Sequence, residues 1–359
     1  MRKIIFYLLV FSVLTGCKTE KMSLNFLNEF VVKDSLQFEN AIVGGISGID
    51  YYNNEYYMVV DDARNPRILV GDILIEKDSI KSVEFKKTIE IKDTTSSFYK
   101  DNVLDLESVL VHNNQFNLVS EGSIRRGKNP SIFTTNMQGE FEEEITIPSY
   151  FEANSKAKPK HNGAFESSSK SFDNKGFWAA MEAPLEADGE EPTFHETKSP
   201  IRITYFDNVT QKATKQFAYQ LEKIDKPAKG KINLNGATAI LEYAENSFFI
   251  VERIYQSGYG SYGNTIRIFK ARITKESTNT LSMSSLKNEK YVPLKKELLF
   301  DFNNVKNQLG EGFIDNIEGI TLGPKLSNGN QSLILVADDN FQVYGKQLNQ
   351  FLLLEIVDK

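Results

Sequence analysis

A set of carboxylates recurs along this 359-residue chain at places where they could act together. Glu107, Glu166 and Glu318 sit in short segments that read apolar, polar, small: Leu106-Glu107-Ser108, Phe165-Glu166-Ser167 and Ile317-Glu318-Gly319. Ile46-Ser47-Gly48 and Ala237-Thr238-Ala239 follow the same pattern with a hydroxyl at the marker position. Each segment is followed by a second apolar run that ends in acid, giving Asp61, Glu121, Glu182, Glu252 and Asp338. The marker-to-acid offset is 14 residues for Ser47 to Asp61, Glu107 to Glu121 and Thr238 to Glu252; it is 16 for Glu166 to Glu182 and 20 for Glu318 to Asp338. Carboxylates brought together in a confined space cannot all stay ionised without compensation. Either a hard, oxygen-seeking cation neutralises them, which suits Ca²⁺ or Mg²⁺ and not zinc, or some keep a proton and can serve as general acids on an ester or phosphoester.

Such chemistry requires a fold that returns equivalent positions to one point. The chain is rich in strand-length apolar runs separated by Gly/Asn turns, without long helical periodicity, and its 25 Phe and 15 Tyr favour strands. Third strands begin at Pro66, Pro130, Pro200, Asn264 and Gln350; fourth strands are expected over 83–91, 140–147, 213–221 and 291–300. The fifth unit runs out of chain, while an unassigned strand stands at 24–32. The expectation is an all-β propeller of five blades by marker count, closed by pairing the N- and C-terminal strands in one blade. A sixth blade would have to lie in 71–100 or 270–299. In a propeller the innermost strands line a central channel, so the recurrent acids would form a ring there.

The first residues read as a targeting signal. Arg2 and Lys3 precede an apolar run from Ile4 to Leu14, and Leu14-Thr15-Gly16-Cys17 looks like a bacterial lipobox. Residues 1–16 are then a signal peptide, and Cys17, the single cysteine of the chain, is the lipidation site, with 18–23 as a tether. The propeller domain spans 24–359. The protein is expected to be extracytoplasmic and lipid-anchored, on the outer membrane, and monomeric. One cysteine excludes an internal disulfide framework. With 48 acidic against 42 basic residues, the charge balance argues against a nucleic-acid partner. Walker and dinucleotide-binding fingerprints and the G-x-S-x-G elbow are missing.

Taken together, several segments resemble the bacterial phytase-like family described as "esterase-like activity of phytase". They are Gly45-Ile46-Ser47-Gly48-Ile49-Asp50, Val60-Asp61-Asp62 with Arg64, Asp105-Leu106-Glu107-Ser108, Ser120-Glu121-Gly122 and Asn162-Gly163-Ala164-Phe165-Glu166. Met181-Glu182-Ala183-Pro184-Leu185, Val251-Glu252-Arg253, Gly263-Asn264-Thr265-Ile266-Arg267-Ile268, Asn316-Ile317-Glu318-Gly319 and Asp338-Asp339-Asn340-Phe341 complete the set. The resemblance implies a β-propeller and an extracytoplasmic hydrolase of phosphoesters or related esters. The residues expected to bind a small anionic ester and act on it are Glu107, Glu166, Glu182, Glu252 and Glu318, with Arg64 and Arg253 stabilising developing charge. Asp61, Asp62, Glu121, Asp338 and Asp339 are the expected ligands of Ca²⁺, or of Mg²⁺. The chain lacks the R-H-G-x-R-x-P segment of histidine acid phytases and the Asp-Asp-Pro-Ala run of alkaline propeller phytases, so phytate itself is not the expected substrate. The competing expectation is a non-catalytic surface propeller that binds a ligand, glycan or protein around structural Ca²⁺; a lactonase-type propeller is a third.

Overall fold

The computed structural model of the chain describes residues 22–93 and 96–358. The expected signal peptide, Cys17 and most of the tether lie outside these residues. Five antiparallel four-stranded sheets make up the body. Blade 1 consists of strands Ile46–Tyr52, Glu55–Val60, Arg67–Glu76 and Ser79–Glu90; blade 2 of Leu106–His112, Gln115–Ser120, Ser131–Asn136 and Phe141–Ile145. Blade 3 consists of Phe165–Lys170, Gly176–Met181, Pro200–Asp207 and Lys212–Gln220, and blade 4 of Asn233–Ala244, Ser247–Gln256, Asn264–Arg272 and Lys295–Asp301. In blade 5 the strands Asn316–Lys325, Gln331–Asp338 and Asn349–Val357 are joined by the N-terminal strand Ser23–Val32, which pairs with the last strand from Ser23↔Val357 to Val32↔Asn349. This terminal closure ties the ring shut and leaves no unpaired gap between its ends.

There is no sixth blade among the described residues. The stretch after Gly71 is the long outer hairpin of blade 1, extended down to Glu76↔Ser79. The stretch from Ile273 to Leu294 is a connection between strands three and four of blade 4 that lies along the outer edge of blade 3, where Thr280 and Leu294 donate backbone N–H groups to Gln216 and Ala218. The Glu142–Glu144 run lies exposed on the outer strand of blade 2.

The core fills the spaces between blades rather than a single centre. Trp178 of blade 3, fully buried, meets Phe248 of blade 4 edge-on at 5.1 Å and donates its indole N–H to Glu242. The inner strands also meet through short side chains: Ser47 donates to the carbonyl of Leu106 at 2.7 Å, and Thr238 to that of Ile317 at 2.6 Å. A Cβ on Gly48 would stand 2.8 Å from the carbonyl oxygen of Glu107, which explains why a small residue follows the marker.

Candidate active site at the channel mouth

The first strand of every blade carries a β-bulge at one equivalent position, and the bulged residue is the marker: Ser47, Glu107, Glu166, Thr238 and Glu318. A bulge leaves its extra residue out of the ladder and re-aims the side chain. Here it turns three glutamates toward their counterparts across the channel. The residue before each bulge pairs with Val60, Ser120, Met181, Glu252 or Ala337. The next residue of strand two is therefore the ring position. It is Asp61, Glu121, Glu182, Arg253 and Asp338 in blades 1 to 5.

Glu252 is thus not a ring residue. The hairpin of blade 4 holds an additional bulged residue, Tyr243, between Glu242↔Phe248 and Ala244↔Ser247. One extra residue makes the offset of 14 land one position short, and a one-residue slip moves a side chain to the opposite face of the sheet. Glu252 instead points into the wall, where it accepts from the Tyr219 hydroxyl and Lys296 Nζ, both at 2.7 Å, from Asn235 at 2.8 Å and from the Glu222 N–H at 2.9 Å. Its neighbour Arg253 takes the ring position.

Two of the expected metal ligands also stand apart from the ring. Asp62 accepts from Arg67 at 2.9 Å and from the backbone N–H of Arg64. Asp339 is buried and fully engaged by the N–H groups of Gly45 and Phe341 and the side-chain amides of Gln342 and Asn349, locking the exit of blade 5 onto the entry of blade 1. Arg64 is exposed on the loop beyond Asp61.

A residue absent from the expected site joins it. Asp105 lies just ahead of the strand that begins at Leu106, and its acid group lies with those of Asp61 and Glu107: one oxygen from each falls within 4.8 Å of the others. The equivalent positions elsewhere are Gly45, Ala164, Gly236 and Asn316. The acid that opens the Asp105-Leu106-Glu107-Ser108 segment was the signal that could have found it. Gly236 is required where it stands, since a Cβ there would lie 2.5 Å from Cγ of Glu182.

Arg253 is the central cation. Its Nη2 donates to Glu182 Oε1 at 2.6 Å, its Nη1 to Glu318 Oε1 at 3.0 Å and to the Asn316 side chain, while its Nε has no hydrogen-bond partner among the described residues. Burial works against its charge, but Glu182, Glu318 and Glu166 outweigh that and hold it firmly protonated. The acids are displaced the other way. Burial, then Glu166 and Asp61, raises Glu107 well above the usual carboxyl range; burial, then Glu182 and Glu318, does the same for Glu166. Glu318 is raised by burial and by Asp338 against the pull of Arg253. Asp61 is pushed up by burial and by its hydrogen bond and charge repulsion with Asp105. Asp338 and Glu121 each rise to about 7, chiefly through burial, although the N–H of Asn340 and those of Gly163 and Ala164 restrain them. One arginine cannot neutralise this many carboxyls, so in the absence of another cation several must be protonated at neutral pH.

The loops after strand two of each blade gather at this same end. Among them is the acidic loop after Glu182 that carries the exposed His195. It is pinned down by Asp188, which forms a buried two-pronged pair with Arg202 at 2.7 and 2.8 Å.

Fold and site together define a five-bladed β-propeller with an acidic channel mouth in which Arg253 pairs with Glu182 and Glu318. Residues 41–341 match the family described as "Phytase-like: Esterase-like activity of phytase", and the chain belongs to that family. Comparison with curated proteins returned no match. Among solved structures, an endo-arabinase from Bacteroides thetaiotaomicron is similar over 88% of this chain and 95% of its own, at 12% identity and a TM-score of 0.47. The catalytic domain of a GH62 α-L-arabinofuranosidase from Coprinopsis cinerea is similar over 94% and 97%, at 11% identity and a TM-score of 0.44. These likenesses carry no chemistry across to the present channel.

Proposed function

We propose that this protein hydrolyses a phosphoester or related ester at the channel mouth with the help of a divalent cation, Ca²⁺ or Mg²⁺. The observation that carries the reading is the convergence of Asp61, Asp105 and Glu107. An all-oxygen, anionic donor set suits a hard cation. When bound, that cation supplies Lewis acidity and the positive charge that an anionic substrate needs in a channel otherwise repelling it. Asp338 and Glu121 border the same site. Arg253 lies in the adjoining part of the ring and orients charged groups through Glu182 and Glu318. Glu166, buried and reached by no N–H or O–H donor of a described residue, is suited to hold a proton and deliver it to a leaving oxygen. The lipobox at Cys17 makes the protein a lipid-anchored component of the cell envelope.

The test is turnover of phytate, an aryl phosphate, an aryl phosphodiester, an aryl acetate and a lactone by the purified protein, with Ca²⁺ and with EDTA. Chelator-sensitive turnover of one class supports the reading and names the bond. No turnover of any, with a melting point that still responds to Ca²⁺, favours the second reading: a binding propeller whose cation is structural. The specific support for that alternative is the internal pairing of Arg253 with Glu182 and Glu318.

A further inference from the structure

The strand that closes the ring also sets where the chain leaves it. Ser23 pairs with Val357, at the end of blade 5 far from the acids, and Val32 pairs with Asn349, at the mouth, where Asn349 donates to Asp339. The N-terminal strand therefore enters the propeller at the base and climbs toward the mouth. Its ten residues rise about 30 Å at roughly 3.3 Å per residue. Between Cys17 and Met22, the first described residue, the chain spans at most about 18 Å even when fully extended.

From these two lengths we propose that the acylated protein stands base-down or on its side, with the channel mouth never turned onto the bilayer. A mouth-down pose would lift the base about 30 Å above the membrane, farther than a tether of about 18 Å can reach. The mouth opens to the aqueous phase. The orientation itself does not depend on the hydrolase reading. Combined with that reading, on which this clause rests, it makes the substrate a water-soluble ester rather than a lipid extracted from the bilayer beneath.

The test uses the full-length acylated protein in phospholipid vesicles. Once acylated, Cys17 leaves no thiol in the chain, so one introduced cysteine takes a fluorophore uniquely. Lys325→Cys places it at the base, at the end of strand one of blade 5, and Tyr344→Cys at the mouth of the same blade, in the loop after Asp338; both residues are exposed, so neither change disturbs packing. With both reporters on the blade that carries the tether, energy transfer to an acceptor on the lipid headgroups is expected to be at least as strong from position 325 as from 344 in either allowed pose. Stronger transfer from 344 than from 325 overturns the proposal. So does a Cys17→Ser protein that stays on the vesicles as well as the parent, because the anchor would then lie elsewhere. The readout needs no turnover, so an inactive but correctly oriented protein counts against the hydrolase alone.

Discussion

Arg253 reaches from blade 4 to Glu182 of blade 3, with Nη2 2.6 Å from Oε1, and this pair sets a positive charge within the acidic ring. A second contact, to Glu318 at 3.0 Å, extends it to blade 5. Three successive blades are thus tied by one side chain at the place where charge repulsion would otherwise push them apart.

Removing that charge is expected to be costly. Arg253→Met removes the cation shared by Glu182 and Glu318, leaving Glu318 only the Asn316 amide, and should lower stability by up to about 3 kcal/mol, the lower end of the cost of breaking one side of a buried pair. Urea denaturation at pH 7.5 measures it. Adding Glu182→Gln to Arg253→Met should recover part of the loss, and additive losses would show the pair is not coupled.

The raised acids make stability depend on pH. A carboxyl with an unfolded pKa near 4 that titrates higher when folded binds more protons in the native state. Its contribution is complete below about pH 4 and is lost as pH rises through the folded value. Glu121 and Asp338, at about 7, place much of the loss between pH 4 and 8 in the chelated protein. Scanning calorimetry in EDTA should show the melting temperature falling across that window. Ca²⁺ should restore it most at the alkaline end, with protons released on binding.

Asp105→Asn is expected to weaken Ca²⁺ binding by tenfold or more (about 1.4 kcal/mol per decade), read by calorimetric titration. Asp62→Asn should leave affinity unchanged, because Asp62 is paired with Arg67 outside the cluster. Equal losses in both variants would remove Asp105 from the cation site.

Glu252 and Glu182 should separate cleanly. Glu252→Gln breaks charged contacts with Lys296 and is expected to cost about 1–3 kcal/mol of stability while turnover persists. Glu182→Gln should abolish turnover with the fold intact by circular dichroism. The reverse pattern would return Glu252 to the catalytic set.

Much of the architecture was readable as a repeat. The markers at Ser47, Glu107, Glu166, Thr238 and Glu318 coincide with the five bulges, because a bulge demands the same local pattern each time: an apolar residue in the ladder, a residue outside it, and a small residue where the next inner strand presses close. The terminal strand at 24–32 declared itself by lacking partners in its own neighbourhood. The site was only partly readable. Asp105 was left out of the expected site because it precedes the strand, where periodicity does not fix the direction of a side chain; only the tertiary structure shows it meeting Asp61 and Glu107. Glu252 was mistaken for a ring acid because counting along the chain cannot see Tyr243 bulge out.

What the sequence by itself determined is therefore the periodic part: the strands, the five marker segments and the recurring acids, all of which are properties of local pattern and spacing. The tertiary structure alone decided which face each acid takes and what opposes it. It turned Glu252 to the wall, set Arg253 against Glu182 and Glu318, and brought Asp61 to Asp105 across two blades. These depend on ladder register and on the closing of the ring, where one extra residue reverses a side chain and residues far apart in sequence meet within a few ångströms.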